Sequence, residues 1–163
     1  MRWPKGRSAD SLRRSGADVS VTEDELFDRA FAARRRAYAQ YSNFWVGAAI
    51  EDESGAVHVG CNVENAAYPV GTCAETGAIS AMRVAGGERI RRIAIVGGLA
   101  DVKETAFCAP CGACRQRIAE FADANTQVLL RDGLGIVRRF DLSALLPAAF
   151  GAADVLPISG EER

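Results

Sequence analysis

The sequence predicts an α/β domain with one mixed five-stranded sheet covered by helices on both faces, and three observations predict it. Patterned segments alternate as helix, hairpin, helix, strand, helix, hairpin, an order that stacks helices on a sheet. The run Ile93-Ala94-Ile95-Val96 is apolar throughout, as a central strand buried on both faces requires. Only Asp132-Gly133-Leu134-Gly135 joins the last two strands. A parallel crossover takes about a dozen residues or more, so these two strands are expected to run antiparallel.

Residues 1–20 are rich in Arg, Ser, Gly and Asp with no apolar period, and a flexible arm is expected there. A single domain is expected over 21–154, and a flexible tail over 155–163. Thr22-Glu23-Asp24-Glu25 has the form of a capping box, with Val21 and Leu26 as a hydrophobic staple. Leu26, Phe27, Ala30, Phe31, Ala33, Ala37 and Tyr38 then recur at helical spacing, which predicts a helix to about Ala39. Arg34, Arg35 and Arg36 within it read as a solvated charge run. Trp45–Glu51 and Val57–Asn62 read as strands of a hairpin, joined by Asp52-Glu53-Ser54-Gly55. His58, the sole histidine, falls on the second of them and reads as a surface or edge residue rather than a ligand.

A helix is expected from Cys73 to about Val84, with Ala78, Ile79 and Met82 inward and Gly86-Gly87 ending it. Arg91–Gly97 is the third strand, and Leu99–Ala109 a loop. A further helix is expected from Cys111 to about Phe121, with Cys114, Ile118 and Phe121 aligned. Gln127–Arg131 and Ile136–Phe140 are the last strands, and Asp141–Phe150 a short helix.

Composition narrows the function. The 163 residues carry 48% hydrophobic and 25% charged side chains, ordinary for a globular domain. With 20 Lys and Arg against 21 Asp and Glu, the net charge of -1 lacks the positive excess that drives polyanion binding. No apolar run reaches the length of a membrane span. The basic start Met1-Arg2-Trp3-Pro4-Lys5 leads into Ser, Arg and Gly rather than an apolar stretch, so no signal peptide is read and a cytoplasmic protein is expected. Five cysteines, two of them three apart, point to metal chemistry rather than a disulfide framework.

That chemistry centres on Cys73-Ala74-Glu75 and Pro110-Cys111-Gly112-Ala113-Cys114. Cys111 and Cys114, at i and i+3 of a helix start, can reach one point. With Cys73 they offer three thiolates to Zn2+ and leave one position open for water. Glu75, two residues from the first sulfur, is placed to shuttle protons for a metal-activated water. Two helix N-termini aimed at the sulfurs would draw negative charge off them. Other readings remain open at this point. Glu75 could fold back on Thr72 as a capping box. Cys108 could close a purely structural four-thiolate site. Cys61 and Cys108 read by default as small buried hydrophobes.

The motifs carry a resemblance. From Tyr41 to Phe150 the chain is similar to the small homotetrameric, zinc-dependent cytidine deaminases. The matching stretches are Tyr41-Ser42-Asn43-Phe44-Trp45-Val46-Gly47-Ala48, Asn62-Val63-Glu64-Asn65-Ala66-Ala67-Tyr68-Pro69, the two cysteine motifs through Arg115-Gln116, and Leu145-Leu146-Pro147-Ala148-Ala149-Phe150. The resemblance implies a three-layer α/β/α fold and hydrolytic deamination of cytidine or deoxycytidine in pyrimidine salvage. It implies Cys73, Cys111 and Cys114 on zinc and Glu75 as the proton carrier. It further implies Asn62 and Glu64 on the ribose 3′-hydroxyl, Phe44 on the pyrimidine, and the Ala74 backbone with Glu75 on the base edge. Tyr68 and Phe150 match positions that complete neighbouring subunits' pockets, so a homotetramer with shared pockets is implied. Antiparallel last strands mark the free-nucleoside branch of the resemblance, with a small nucleoside as partner and neither nucleic acid nor membrane. A different aminated nucleoside, including a nucleoside antibiotic, is the alternative substrate, and a non-catalytic zinc module the alternative role. Two positions depart from the pattern. Thr76 stands where many three-cysteine members have arginine to offset thiolate charge, which leaves that task to helix dipoles, Arg115 or another cation. Trp45 stands where proline is common.

Overall fold

Five strands form one sheet in the order β2-β1-β3-β4-β5 in the computed structural model, which describes residues 20–100 and 107–155. The strands are β1 (Phe44–Asp52), β2 (Val57–Cys61), β3 (Ile90–Leu99), β4 (Gln127–Arg131) and β5 (Val137–Asp141). Helices α1 (Glu23–Arg34), α2 (Ala74–Ala85) and α3 (Gly112–Glu120) cover it, and two single turns, α4 (Leu142–Leu145) and α5 (Ala152–Val155), close the described chain. β1 is antiparallel to both β2 and β3, β3 and β4 are parallel, and β4 and β5 are antiparallel, as the short connection requires. The expected arm and tail lie outside the described residues, save Ser20 and Val155.

Side-chain alternation along the strands builds the three layers. Ala49, Ala94, Val96 and Leu129 point to one face, against Leu26, Phe27 and Ala30 of α1. Ala48, Ile50, Ile93, Ile95, Val128 and Leu130 point to the other, against Ala78, Met82 and Ile118 of α2 and α3. The middle of each central strand is therefore a continuous apolar run, as in Ile93-Ala94-Ile95-Val96, because both faces are covered.

Glycines set how closely the helices sit. A Cβ on Gly60 would lie 2.3 Å from the Ala74 carbonyl and from the Ala78 nitrogen, so α2 rests directly on the β2 backbone. Gly47 does the same for α1, with the Ala30 carbonyl at 2.1 Å from its missing Cβ. Gly60→Ala is expected to lower stability by about 1–3 kcal/mol in urea titration. Since the displaced helix begins beside Cys73, it is also expected to weaken zinc retention in dialysis.

The capping box forms as expected: Glu25 N–H donates to Thr22 Oγ1 at 3.2 Å and Thr22 N–H to Glu25 Oε2 at 2.8 Å. α1 stops at Arg34 rather than Ala39, because residues 36–38 find other partners. Tyr38 pairs with the 62–64 segment, donating to the Asn62 carbonyl at 3.0 Å and accepting from Glu64 N–H at 2.7 Å. Arg34 is not on a solvated face. It is 7% exposed and donates to the carbonyls of Trp45 at 3.1 Å and Leu99 at 2.6 Å. The helix expected over Asp141–Phe150 shrinks to α4, since Pro147 has no N–H to continue it and pushes Leu146 out of helical geometry (φ -140°).

Asp52 ties the β1–β2 hairpin. Its carboxylate accepts from Ser54 N–H at 2.9 Å, Ser54 Oγ at 2.6 Å and Ala56 N–H at 3.0 Å, and meets His58 Nε2 at 2.7 Å. The edge-strand histidine is thus a hairpin tie. Burial raises the Asp52 pKa, but the bonds from Ser54, His58 and Ala56 outweigh it and hold it below the usual carboxylate value. A depressed folded-state pKa contributes stability above the unfolded value, and that contribution fades as pH falls through the folded one. Asp52→Ala is expected to cost about 2–3 kcal/mol at pH 7, with the gap narrowing below about pH 4 in denaturant titrations.

Candidate active site

Two helix starts meet beside β1 and β3, and each opens on a cysteine. Cys73 (φ -74°, ψ 154°) caps α2 and Cys111 (φ -66°, ψ 167°) caps α3, both in extended geometry with no side-chain cap bond. Serine or aspartate at such positions would spend its oxygen on the helix; here the sulfurs stay available. Cys114, fully buried, sits one turn into α3. The Sγ atoms of Cys73, Cys111 and Cys114 all lie within 4.8 Å of one another. Sulfurs around a tetrahedral zinc, with bonds of about 2.3 Å, stand about 3.8 Å apart, so the trio fits that ion.

The helix starts act on the thiols unequally. Burial alone would raise the Cys111 pKa, yet the Cys114 backbone N–H near its sulfur, then the Cys114 and Cys73 thiols and the Ala113 N–H, outweigh that and lower it. Burial raises Cys73 and Cys114, and nearby Glu75 raises both further.

Glu75 is 4% exposed on the first turn of α2, against the Cys114 thiol. Burial raises its pKa above the usual carboxylate value, opposed by its own backbone N–H, Cys114 and, more distantly, Arg117. The capping-box alternative for this residue does not form. The cap is Cys73 rather than Thr72, which puts Glu75 at the second helical position, facing inward.

A cavity of about 370 Å³ opens over these groups, within the range of small-molecule sites. Cys73, Ala74, Glu75 and Cys111 line its floor, and Phe44, Asn62, Glu64 and Tyr68 its walls. Phe150 does not line it. A second hollow, shared at Glu64 and Tyr68, adds Tyr41, Ser42 and Asn65. Asn62 is already engaged with the start of β1 and Glu64 with the turn just before it. Asn62 accepts from Val46 N–H at 2.8 Å and donates to the Phe44 carbonyl at 2.9 Å. Glu64 accepts from Tyr41 N–H at 2.9 Å, Ser42 N–H at 3.2 Å and the Ser42 hydroxyl. These bonds lower the Glu64 pKa, that from Ser42 Oγ most. Tyr68 starts a single 3-10 turn, Tyr68–Val70, and stands 75% exposed at the rim.

Cys108 also lines the cavity but does not join the sulfur trio. Its sulfur would be 2.5 Å from a Cβ on Gly97, which would also stand 3.1 Å from the Phe44 ring, so glycine there makes room for both. Burial first, then Glu75, pushes the Cys108 thiol up to about 11. The four-thiolate site is therefore not formed. Ser42, Val46 and Cys108 were not marked by sequence reasoning as cavity residues. Ser42 and Val46 stand beside Phe44 in a motif already singled out, whereas Cys108 stands three residues before Cys111, a spacing that points to the metal rather than to the cavity wall. Thr76 Oγ1 is buried with no hydrogen-bond partner, and Arg115 donates to backbone carbonyls rather than to sulfur.

Comparison with known proteins agrees with this arrangement. A family model described as "Cytidine and deoxycytidylate deaminase zinc-binding region" matches residues 20–130. Cytidine deaminase of Halalkalibacterium halodurans is 42% identical over 130 residues, 80% of this chain and 95% of that protein. Cytidine deaminase of Mycobacterium tuberculosis is 40% identical over 130 residues, 80% of this chain and 90% of that protein. The crystal structure of cytidine deaminase from Burkholderia pseudomallei superposes with a TM-score of 0.72 at 42% identity, covering 80% of this chain and all of that one.

Proposed function

The chain belongs to the cytidine and deoxycytidylate deaminase zinc-binding family, and from that premise we propose that it hydrolyses the 4-amino group of cytidine and deoxycytidine, releasing uridine or deoxyuridine and ammonia. One observation carries the reading: a buried carboxyl, Glu75, shares the floor of a nucleoside-sized cavity with three convergent thiols. Cys73, Cys111 and Cys114 would hold the zinc. When bound, zinc supplies Lewis acidity that makes a water nucleophilic near neutral pH.

The protein's own groups do the rest. Glu75 takes one proton from the water that attacks C4 and passes it to N3; it then takes the second, from the hydroxyl now on C4, and passes it to the amine, which leaves as ammonia while the C4 carbonyl forms. A carboxyl raised above its usual pKa suits a group that must accept and release a proton in one cycle. The Ala74 backbone and Glu75 read the base edge, and Phe44 packs on the pyrimidine. Asn62 and Glu64 receive the ribose 3′-hydroxyl; both are held in place by bonds to the start of β1 and the turn before it, so they are oriented before substrate arrives.

The site is assembled within a single domain spanning 21–154, in a homotetramer whose subunits share pockets. The exposure of Tyr68 and of Phe150 supports that assembly. The setting is the cytoplasm and the role pyrimidine salvage. No helix among the described residues is long and apolar enough to cross a membrane. Antiparallel β4 and β5, together with a net charge of -1, favour a free nucleoside over a polynucleotide.

Ultraviolet-monitored deamination of cytidine, deoxycytidine and cytosine side by side tests the proposal. The two nucleosides are expected to turn over and the free base to lag, because the ribose contacts are lost. A zinc-loaded protein inert on all three would overturn it.

A further inference from the structure

Two residues directly after Cys114 take no part in the chemistry above, and both serve the far end of the chain. Arg115 donates from Nε to the Pro110 carbonyl at 2.9 Å and from Nη1 to the Leu145 carbonyl at 2.9 Å. Gln116 donates from Nε2 to the Phe150 carbonyl at 2.8 Å. Thus α3 faces two ways: Cys114 turns inward to the sulfur trio, while its next two residues grip residues 145–150.

That segment needs gripping. From Leu146 to Gly151 it belongs to no helix or strand, so no ladder of backbone bonds positions it. Ala148 sits at φ +53°, in the left-handed region that a residue with a Cβ adopts only where its surroundings impose it. At its end Phe150 is 62% exposed and lines neither hollow of its own chain.

We infer that Arg115 and Gln116 are positioning residues, which lock the 145–150 segment to the metal-bearing helix so that Phe150 is held out to the cavity of a second copy of this chain. The inference rests on the proposed sharing of pockets between subunits. Its physical content is that one helix turn sets both the sulfurs of its own cavity and the aromatic wall of the next. The span between the two is then governed by a helix rather than by a loop. The rim that would receive Phe150 carries exposed aromatic rings at Tyr68 and Tyr41.

Gln116→Met keeps the side-chain length and helix compatibility but removes the donor, whereas Gln116→Lys keeps one. Both are compared with Phe150→Ala for cytidine KM, kcat, zinc content and mass by light scattering. Gln116→Met is expected to raise KM roughly five-fold, the worth of one neutral hydrogen bond. Its kcat should stay within two-fold and its zinc content unchanged, and Gln116→Lys should bring KM back towards the parent value. If Phe150→Ala raises KM but Gln116→Met does not, the positioning role is wrong and pocket sharing stands. If Phe150→Ala leaves KM unchanged, pocket sharing through Phe150 fails and the inference falls with it. Loss of zinc or of kcat in Gln116→Met would show a residue that merely supports α3, and would also overturn it.

Discussion

Glu75→Gln is expected to fold, to keep its zinc and to lose cytidine turnover by about three to four orders of magnitude, the scale of general acid–base catalysis. The amide matches the carboxylate in size and its position is 4% exposed, so the packing of α2 on the sheet is undisturbed. What disappears is the proton acceptor. The metal site is unaffected because the sulfur trio does not include residue 75. Stability supplies an independent check with a definite sign. Burial raises the Glu75 pKa, so the fold favours the neutral form, and at pH 7 the ionised carboxyl opposes folding. A permanently neutral amide removes that opposition, so after zinc removal the Tm of the variant at pH 7 should equal or exceed that of the equally metal-free parent. Steady-state kinetics and metal analysis on the zinc-loaded protein, with thermal melting after zinc removal, read all three. Near-normal turnover in a zinc-loaded variant would end the assignment of Glu75 as proton carrier.

Cys114→Ala is expected to abolish activity by a different route. It deletes one of three converging sulfurs at the most enclosed corner of the site, where no other side chain of the trio can take its place. Zinc per chain should fall below about one-tenth after dialysis, because metal affinity depends on the full deprotonated ligand set. Tm should fall as well, since ligation joins the starts of α2 and α3 and metal binding adds to folding free energy. Cys108→Ala is the matched control. It removes a cavity thiol outside the trio and should leave one zinc per chain. Zinc retained by the Cys114 variant and lost by the Cys108 variant would exchange their roles, and zinc lost by both would restore the closed four-thiolate alternative.

The errors of sequence reasoning have physical causes in named residues. Ala37 and Tyr38 continue the apolar period of α1, yet Tyr38 leaves it to pair with a segment 24 to 26 residues away, at Asn62 and Glu64. A helical period records what could form locally and is silent about competing partners. Arg34 carries the same sequence signal as Arg35 and Arg36, but only Arg34 faces two strand-end carbonyls. Pro147 already argues from the sequence against a last helix that runs to Phe150, since it has no N–H to donate.

Short-range chemistry was legible from residues alone: the capping box at Thr22, the αL glycine at Gly86 (φ +96°), the antiparallel last hairpin, and the cysteine starts of two helices. Each depends on groups within a few positions of one another, so spacing along the chain is already spacing in space. Tertiary structure alone decided that Cys108 packs against Gly97 and stays off the sulfur trio, and that Asn62 and Glu64 brace the start of β1 and the turn before it. It alone decided, too, that Gln116 reaches Phe150. Those contacts join residues 11 to 34 positions apart, and which distant groups meet is set by how α2 and α3 seat on the sheet, a collective packing outcome that no local run of residues encodes.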